Sequence, residues 1–482
     1  MRGHLNQLIP SLPTIDSHSR QDYSFISSLP QEGLSAIFMQ GPTDVPGRTA
    51  FALTVSQVSR YWRATAMQTP FLWSGISILL WCTGTGYNHF LQILLQRSKF
   101  HPLDITLTKH EVYLRSKLAM VAVGAACKTS SLPNVSHHLQ DQLAMFTPYA
   151  SWWQTFKCDC KRLDDVSLVM ALLANLSAPI LESFDLCLSF CTDSQDGDAF
   201  RIFEGGAPKL LEVSICGIHP SMCLLPLSSV SSLRLGAGPD EMSGDKFLDI
   251  LRSLVTLTSL DLEGGVVSLE DLQLLGMEGK NVEISTLRSL SFTATASPKY
   301  CIGSILDTIR CPAVESMSIS QLASWDVPEE SPSTYTPPLP PFTRLRFLKL
   351  IRIECHKLAR HFNFSSLPAL HTIVLHNCPS PMALFRLLLP SADMPNDGIV
   401  WPELQVIKLS HVGAEEIDGI CKIITHRSSC GRPVDTIIFD PVSLQKHSVE
   451  VEWMNQHVNV RRGSPYLTLS RSTSQSSVTI YD

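Results

Sequence analysis

The chain has 482 residues, 44% of them hydrophobic and 17% charged, a balance that belongs to globular proteins and excludes a disordered polyelectrolyte. Its formal net charge of -6, with 38 basic and 44 acidic residues and no long run of either sign, argues against nucleic acid or an anionic membrane as the main partner. The longest apolar stretch outside the N-terminal helical region, residues 118–127, is far shorter than the ~20 residues a bilayer requires, and the first residues carry no signal-peptide pattern. A cytoplasmic or nuclear protein with no membrane partner is expected.

Residues 1–24 read as a loose polar arm and 25–75 as a compact helical head. Pro30 suits a first helical turn, Glu32 favours the helix dipole there, and Ser27 and Ser28 are candidate caps. Leu34, Ile37 and Phe38 then fall at i, i+3 and i+4, with Gly33 an unusual residue inside the helix. Phe51, Val55, Val58 and Trp62 repeat at helical spacing and predict a second amphipathic helix, which Thr69 before Pro70 stops. Phe71, Leu72 and Trp73 follow as an aromatic plug.

The order L-P-x-E-x-L-x-x-I-F, a spacer, then V-S-x-x-W-R-x-x-A-x-x-T-P-x-L-W resembles the F-box-like domain in the form common in large fungal families. That resemblance implies a helical module that docks on the Skp adaptor of an SCF (Skp, cullin, F-box) ubiquitin ligase. The adaptor contacts it implies are Leu29, Pro30, Leu34, Ile37, Phe38, Val58 and Trp62, with Trp73 packing inside the module. Gly33 stands where the family usually has an aliphatic residue. A stripe of this kind is also what a helical core requires, and the two readings are compatible because so small a head buries little surface alone.

From 76 to 177 a helix and strand segment leads onward: a strand near Ile76, a helix through Phe90, Ile93, Leu94 and Leu95 ending near Arg97, then a strand at Leu103, Ile105 and Leu107. His137 and His138 lack the rest of a ligand set and read as a solvated turn and helix start, and Trp152, Trp153, Phe156 and Cys158 form a further strand-like run. From 178 to 460 a repeat of the form P-x-L-x-x-L-x-L recurs in ten copies, its leading aliphatics Leu181, Leu210, Val230, Leu257, Leu287, Val314, Leu345, Leu370, Leu404 and Val434. The mean period of about 28 residues falls in the window of leucine-rich repeats. The expected fold is therefore α + α/β: a small helical head, then a leucine-rich-repeat solenoid with parallel strands on the concave face and helices on the convex face. Segments such as that carrying Phe247, Leu248, Leu251 and Leu254 supply those helices, while the asparagine of regular repeats survives only near Asn377.

Residues 327–341 hold six prolines and read as a surface loop inserted into one repeat, with a proline-rich docking peptide as the other reading. The tail 461–482 is Ser/Thr-rich. Fourteen cysteines are scattered singly, with Cys158 and Cys160 the one close pair and no C-x-x-C, so no metal site is indicated and small buried hydrophobes are expected. No nucleophile elbow, P-loop, H-E-x-x-H or dinucleotide fingerprint is present, so neither catalytic residues nor a cofactor are assigned. The expected function is a non-enzymatic substrate receptor whose head binds the Skp adaptor and whose repeats bind an unidentified target protein. The alternative is a leucine-rich-repeat interaction scaffold with a vestigial F-box and no ligase association.

Overall fold

The computed structural model describes residues 29–79, 85–108, 135–189, 199–238, 240–294, 305–306, 308–320, 342–356, 358, 364, 367–379, 381–389 and 399–463. The arm 1–24, the caps at Ser27 and Ser28, the apolar stretch 118–127, the side chains of His137 and His138, the proline-rich insertion 327–341 and the tail past 463 lie outside the described residues. The architecture is mixed α/β with large parallel pairing, and the chain divides into two compact units: Met1–His138 with Trp152–Gln154, and Leu139–Ser151 with Thr155–Asp482.

The first unit opens with α1 (Gln31–Met39), α2 (Val45–Val58) and α3 (Arg60–Met67). Pro30 lies just before α1 at φ -57° and ψ 150°, and its carbonyl accepts the first helical bond, from the Leu34 N–H at 3.0 Å. The periodic run from Phe51 to Trp62 is not one helix. Ser59 is extended, at φ -155° and ψ 169°, and its hydroxyl oxygen accepts the Trp62 N–H at 3.1 Å. Serine competes well as a helix cap, so it ends one helix and starts the next without disturbing the apolar spacing.

The helices close on an aromatic core. Phe38 is 1% exposed, edge-on to Phe51 at 6.3 Å and to Trp62 at 5.3 Å. Trp73 is fully buried and donates its indole N–H to the Ala66 carbonyl at 2.7 Å. β1 (Gly75–Leu79) and β2 (Leu103–Thr108), joined through α4 (Thr85–Ser98), pair in parallel from Gly75↔Asp104 to Leu79↔Thr108. They belong to the same compact unit as the helices. Buried Arg48 on α2 makes the reason visible. Its guanidinium reaches Asp104 at 2.7 Å, Ser74 at 3.1 Å and the Thr43 carbonyl at 2.7 Å, and lies 4.5 Å over the Phe71 ring. Removing one side of such an enclosed ion pair costs roughly 3–5 kcal/mol.

The second unit is a parallel ladder whose strands lie side by side in chain order. They are β3 (Trp153–Cys160), β4 (Ser183–Leu188), β5 (Glu212–Cys216), β6 (Ser232–Gly236), β7 (Ser259–Glu263), β8 (Ser289–Thr293), β9 (Ser316–Ser320), β10 (Phe347–Ile351), β11 (Thr372–His376), β12 (Val406–Ser410), β13 (Thr436–Phe439) and β14 (Asn459–Arg462). Each of the ten repeats contributes one strand, and its leading aliphatic is never more than 3% exposed. Within a strand the two following aliphatics, Leu260 and Leu262 in β7 for example, share the buried face because side chains alternate. The ladder starts earlier and ends later than the repeat pattern: β3 pairs with β4 from Thr155↔Ser183, and β14 pairs with β13 from Thr436↔Asn459.

Helices between strands form only where enough chain intervenes. α5 (Leu163–Leu173), α6 (Gly244–Ser253), α7 (Leu269–Met277) and α8 (Ala414–Ser429) are such segments. Between β5 and β6 the short connection makes the 3₁₀ turns Pro220–Met222 and Leu227–Ser229 and a two-residue strand, Cys223–Leu224, but no α-helix, so a helix does not follow every strand. The position just past a strand takes the left-handed conformation at Gly217, Gly264, Arg352, Asn377 and His411, with φ of 72°, 74°, 53°, 50° and 59°. Asn377 is therefore one case of a backbone rule that glycine also satisfies, and at which Arg352 and His411 are held under strain.

Candidate functional site

Two surfaces gather the residues that chemistry or recognition could use. On the head, Pro30 is exposed, Ile37 is 52% and Val58 58% exposed, and Leu29 and Trp62 are half-buried. Leu34 and Phe38 are each 1% exposed. Those two are the head's own core and offer nothing to a partner in this conformation. Four of the twelve exposed large hydrophobics of the described residues, Ile37, Met39, Val58 and Met67, fall on α1–α3, a concentration that an isolated small domain does not need. Met39 and Met67 were not singled out from the sequence, although both lie in its helical runs. Tyr61 ties the entrance of α1 down by donating its hydroxyl to the Leu29 carbonyl at 2.7 Å, and Ser35 and Thr69 hydroxyls meet at 2.8 Å.

The second surface is the polar face of the ladder. The residue between the two strand aliphatics of each repeat points there, and register aligns them into a half-buried row: Asp185, Ser214, Arg234, Asp261, Ser291, Ser318 and Lys349, then buried Val374, then Lys408 and apolar Ile438. The sequence signal for this row is the single x of each L-x-L. At its first end Arg234 sits 2.5 Å from Glu263 and 3.6 Å from Asp261. Burial pushes the carboxyls of Asp185 and Asp261 up from the usual range, against the pull of Ser214 on the first and of Arg234 on the second.

Burial raises the thiols of Cys187 and Cys216 to about 12, so neither is a thiolate near neutral pH. The Ser410 hydroxyl and His376 Nδ1 are 2.5 Å apart, but Ser410 is only 3% exposed and cannot be reached by a substrate carbonyl. Cys158 and Cys160, 3.4 Å apart through their sulfurs, are likewise buried. Among the described residues no group of three or more His, Cys, Asp or Glu is placed to hold a metal ion, and no helix is long and apolar enough to cross a membrane. No known family model matches this chain, and no curated protein matches it either.

Proposed function

We propose that the chain is the substrate-recognition subunit of an SCF-type ubiquitin ligase. The first unit acts as an F-box-like head that engages the Skp adaptor through Pro30, Ile37 and Val58, with Leu29 and Trp62 at the edge. The second unit acts as a degenerate leucine-rich-repeat solenoid whose polar strand face holds a target protein. The observation that supports this most is the pairing of an exposed apolar set, Ile37 and Val58 above all, with a head whose interior is already filled by Leu34, Phe38 and Trp73. Such a surface is stabilised by covering it with another protein. In this reading the chain carries out no bond chemistry. It raises the effective concentration of a target near an enzyme that another subunit supplies.

A pull-down of the full chain with the Skp adaptor tests the reading. Wild type is expected to bind, and an Ile37→Asp, Val58→Asp variant to lose binding while keeping its melting temperature, since both side chains face solvent. Absence of binding by wild type would leave the scaffold reading in its place. Gly33 favours that alternative: a side chain there would meet only Pro30 Cδ at 4.0 Å, so the surface has a gap where the resembled family places an aliphatic.

A further inference from the structure

The far end of the polar row is cationic, and its two lysines make no ion pair among the described residues. Lys349 on β10 and Lys408 on β12 occupy the same row, separated by Val374 of β11, which is 2% exposed. Two strands apart, their Cα atoms are about 10 Å from one another. His376 ends β11 in register with Ile351 and Ser410, and Arg352 and His411 follow one residue later, past the ends of β10 and β12, so the strand ends add one cation and two imidazoles. The His376 and His411 rings lie 5.9 Å apart. Among the described residues none of Lys349, Arg352 and Lys408 makes an ion pair, whereas Arg234, at the other end of the row, is held between two carboxylates.

The carboxylate that faces His376, Asp440, is occupied: it accepts the backbone N–H of His411 at 2.9 Å and of Val442 at 2.9 Å, and the Ser443 hydroxyl at 2.5 Å. Burial and the neighbouring Lys408 lower the Lys349 ammonium from its usual value, as two like charges on a half-buried face must. Arg352 and His411 are also the two strained, non-glycine, non-asparagine residues among the positions just past a strand. Strain of that kind persists only where the surrounding structure holds the backbone, as the Asp440 carboxylate holds His411.

We propose that Lys349, Arg352 and Lys408, with His376 and His411 beside them, form a docking surface for an acidic, Asp- and Glu-rich segment of another protein. Lys349 and Arg352 belong to β10 and its end and Lys408 to β12, a separation that suits a succession of carboxylates better than a single anion. Long polyanions such as nucleic acid are disfavoured by Asp185, Asp261 and Glu263 on the same face and by the chain's net charge of -6. The same overall charge means that an acidic peptide is not attracted to the protein at large. As the class of target for an SCF receptor this rests on the function proposed above; as a binding surface it does not.

The test is fluorescence anisotropy of labelled decaglutamate on the full chain at low salt. Wild type is expected to bind it at least about tenfold tighter than decaglutamine, and a Lys349→Gln, Lys408→Gln variant to lose about tenfold, the effect of roughly two charge-assisted contacts. The variant's melting temperature should equal or exceed that of wild type, because the like-charge contact is relieved. Lys422→Gln, on the exposed ion pair with Asp418, should change nothing. Equal binding by wild type and the double variant, or indifference to peptide charge, overturns the proposal. Displacement by millimolar inorganic phosphate also overturns it, in favour of a single-anion site. The assay contains no adaptor, so its failure and failure of adaptor docking are separate results.

Discussion

Asp440 shows how much one side chain organises at the end of the ladder. It is 7% exposed and its carboxylate accepts the N–H groups of His411, Val442 and Ser443 and the Ser443 hydroxyl, capping the helix Pro441–Lys446 and pinning His411 in its left-handed conformation. Burial by itself would raise this carboxyl, but the hydrogen bonds outweigh it and hold the group below the usual range. The stability it contributes is therefore fully present above the unfolded value of about 3.9 and is lost as pH falls through the lower folded value. Asp440→Asn is expected to cost about 1–3 kcal/mol at neutral pH by denaturant titration. The gap to wild type should close progressively below about pH 4. A gap unchanged down to pH 2 would mean that the ionised form is not what the site holds. Nothing in the sequence around Asp440 marks this role beyond Pro441 after it, because three of its four donors depend on where the turn places the backbone. The polar row is different in kind: every x between paired leucines is legible, and only the sign pattern, with Lys349 and Lys408 in different repeats, needed the register.

At the scale of elements, the head departs most from its pattern. The run of Phe51, Val55, Val58 and Trp62 keeps helical spacing straight across a break, because a capped restart at Ser59 shifts the backbone without changing which residues are apolar. Periodicity reports burial, and burial is continuous here. Ser59→Ala removes the acceptor for the Trp62 N–H and should cost about 1 kcal/mol. Gly33→Ala should do the reverse and raise stability by about 0.5–1 kcal/mol, since it lies inside α1 with the nearest atom to a new Cβ at 4.0 Å. Chemical denaturation of the two variants separates these effects, and a destabilising Gly33→Ala would show that the glycine serves backbone freedom. The split of the adaptor set follows the same logic. Leu34 and Ile37 are both apolar at helical spacing, and only the packing of Phe51 and Trp62 around Phe38 decides that Leu34 turns in and Ile37 out.

At the largest scale, the second unit is a ladder in which each strand pairs only with its neighbours in the chain, so its long-range order is built from local steps. The ten central strands were legible because each repeat announces its inward face through a leading aliphatic and an L-x-L pair. β3 and β14 fall outside the repeat pattern because they lack that leading aliphatic; β14 instead carries Arg461 and Arg462, charges suited to an edge. A ladder of this kind stabilises each strand mainly through its two flanks, and damage should spread with distance rather than everywhere at once. Leu260 and Ile437 are both fully buried at equivalent positions, and truncating either to alanine removes about 2–5 kcal/mol locally. Hydrogen exchange distinguishes the two sites. Ile437→Ala should release protection in β12, β13 and β14 and leave β4 to β8 protected. Leu260→Ala should release it on both sides of β7, with a smaller effect reaching β13. Uniform loss of protection in both variants would show instead that the unit unfolds as a single cooperative body, and that its stability is set by the whole sheet rather than by neighbouring pairs.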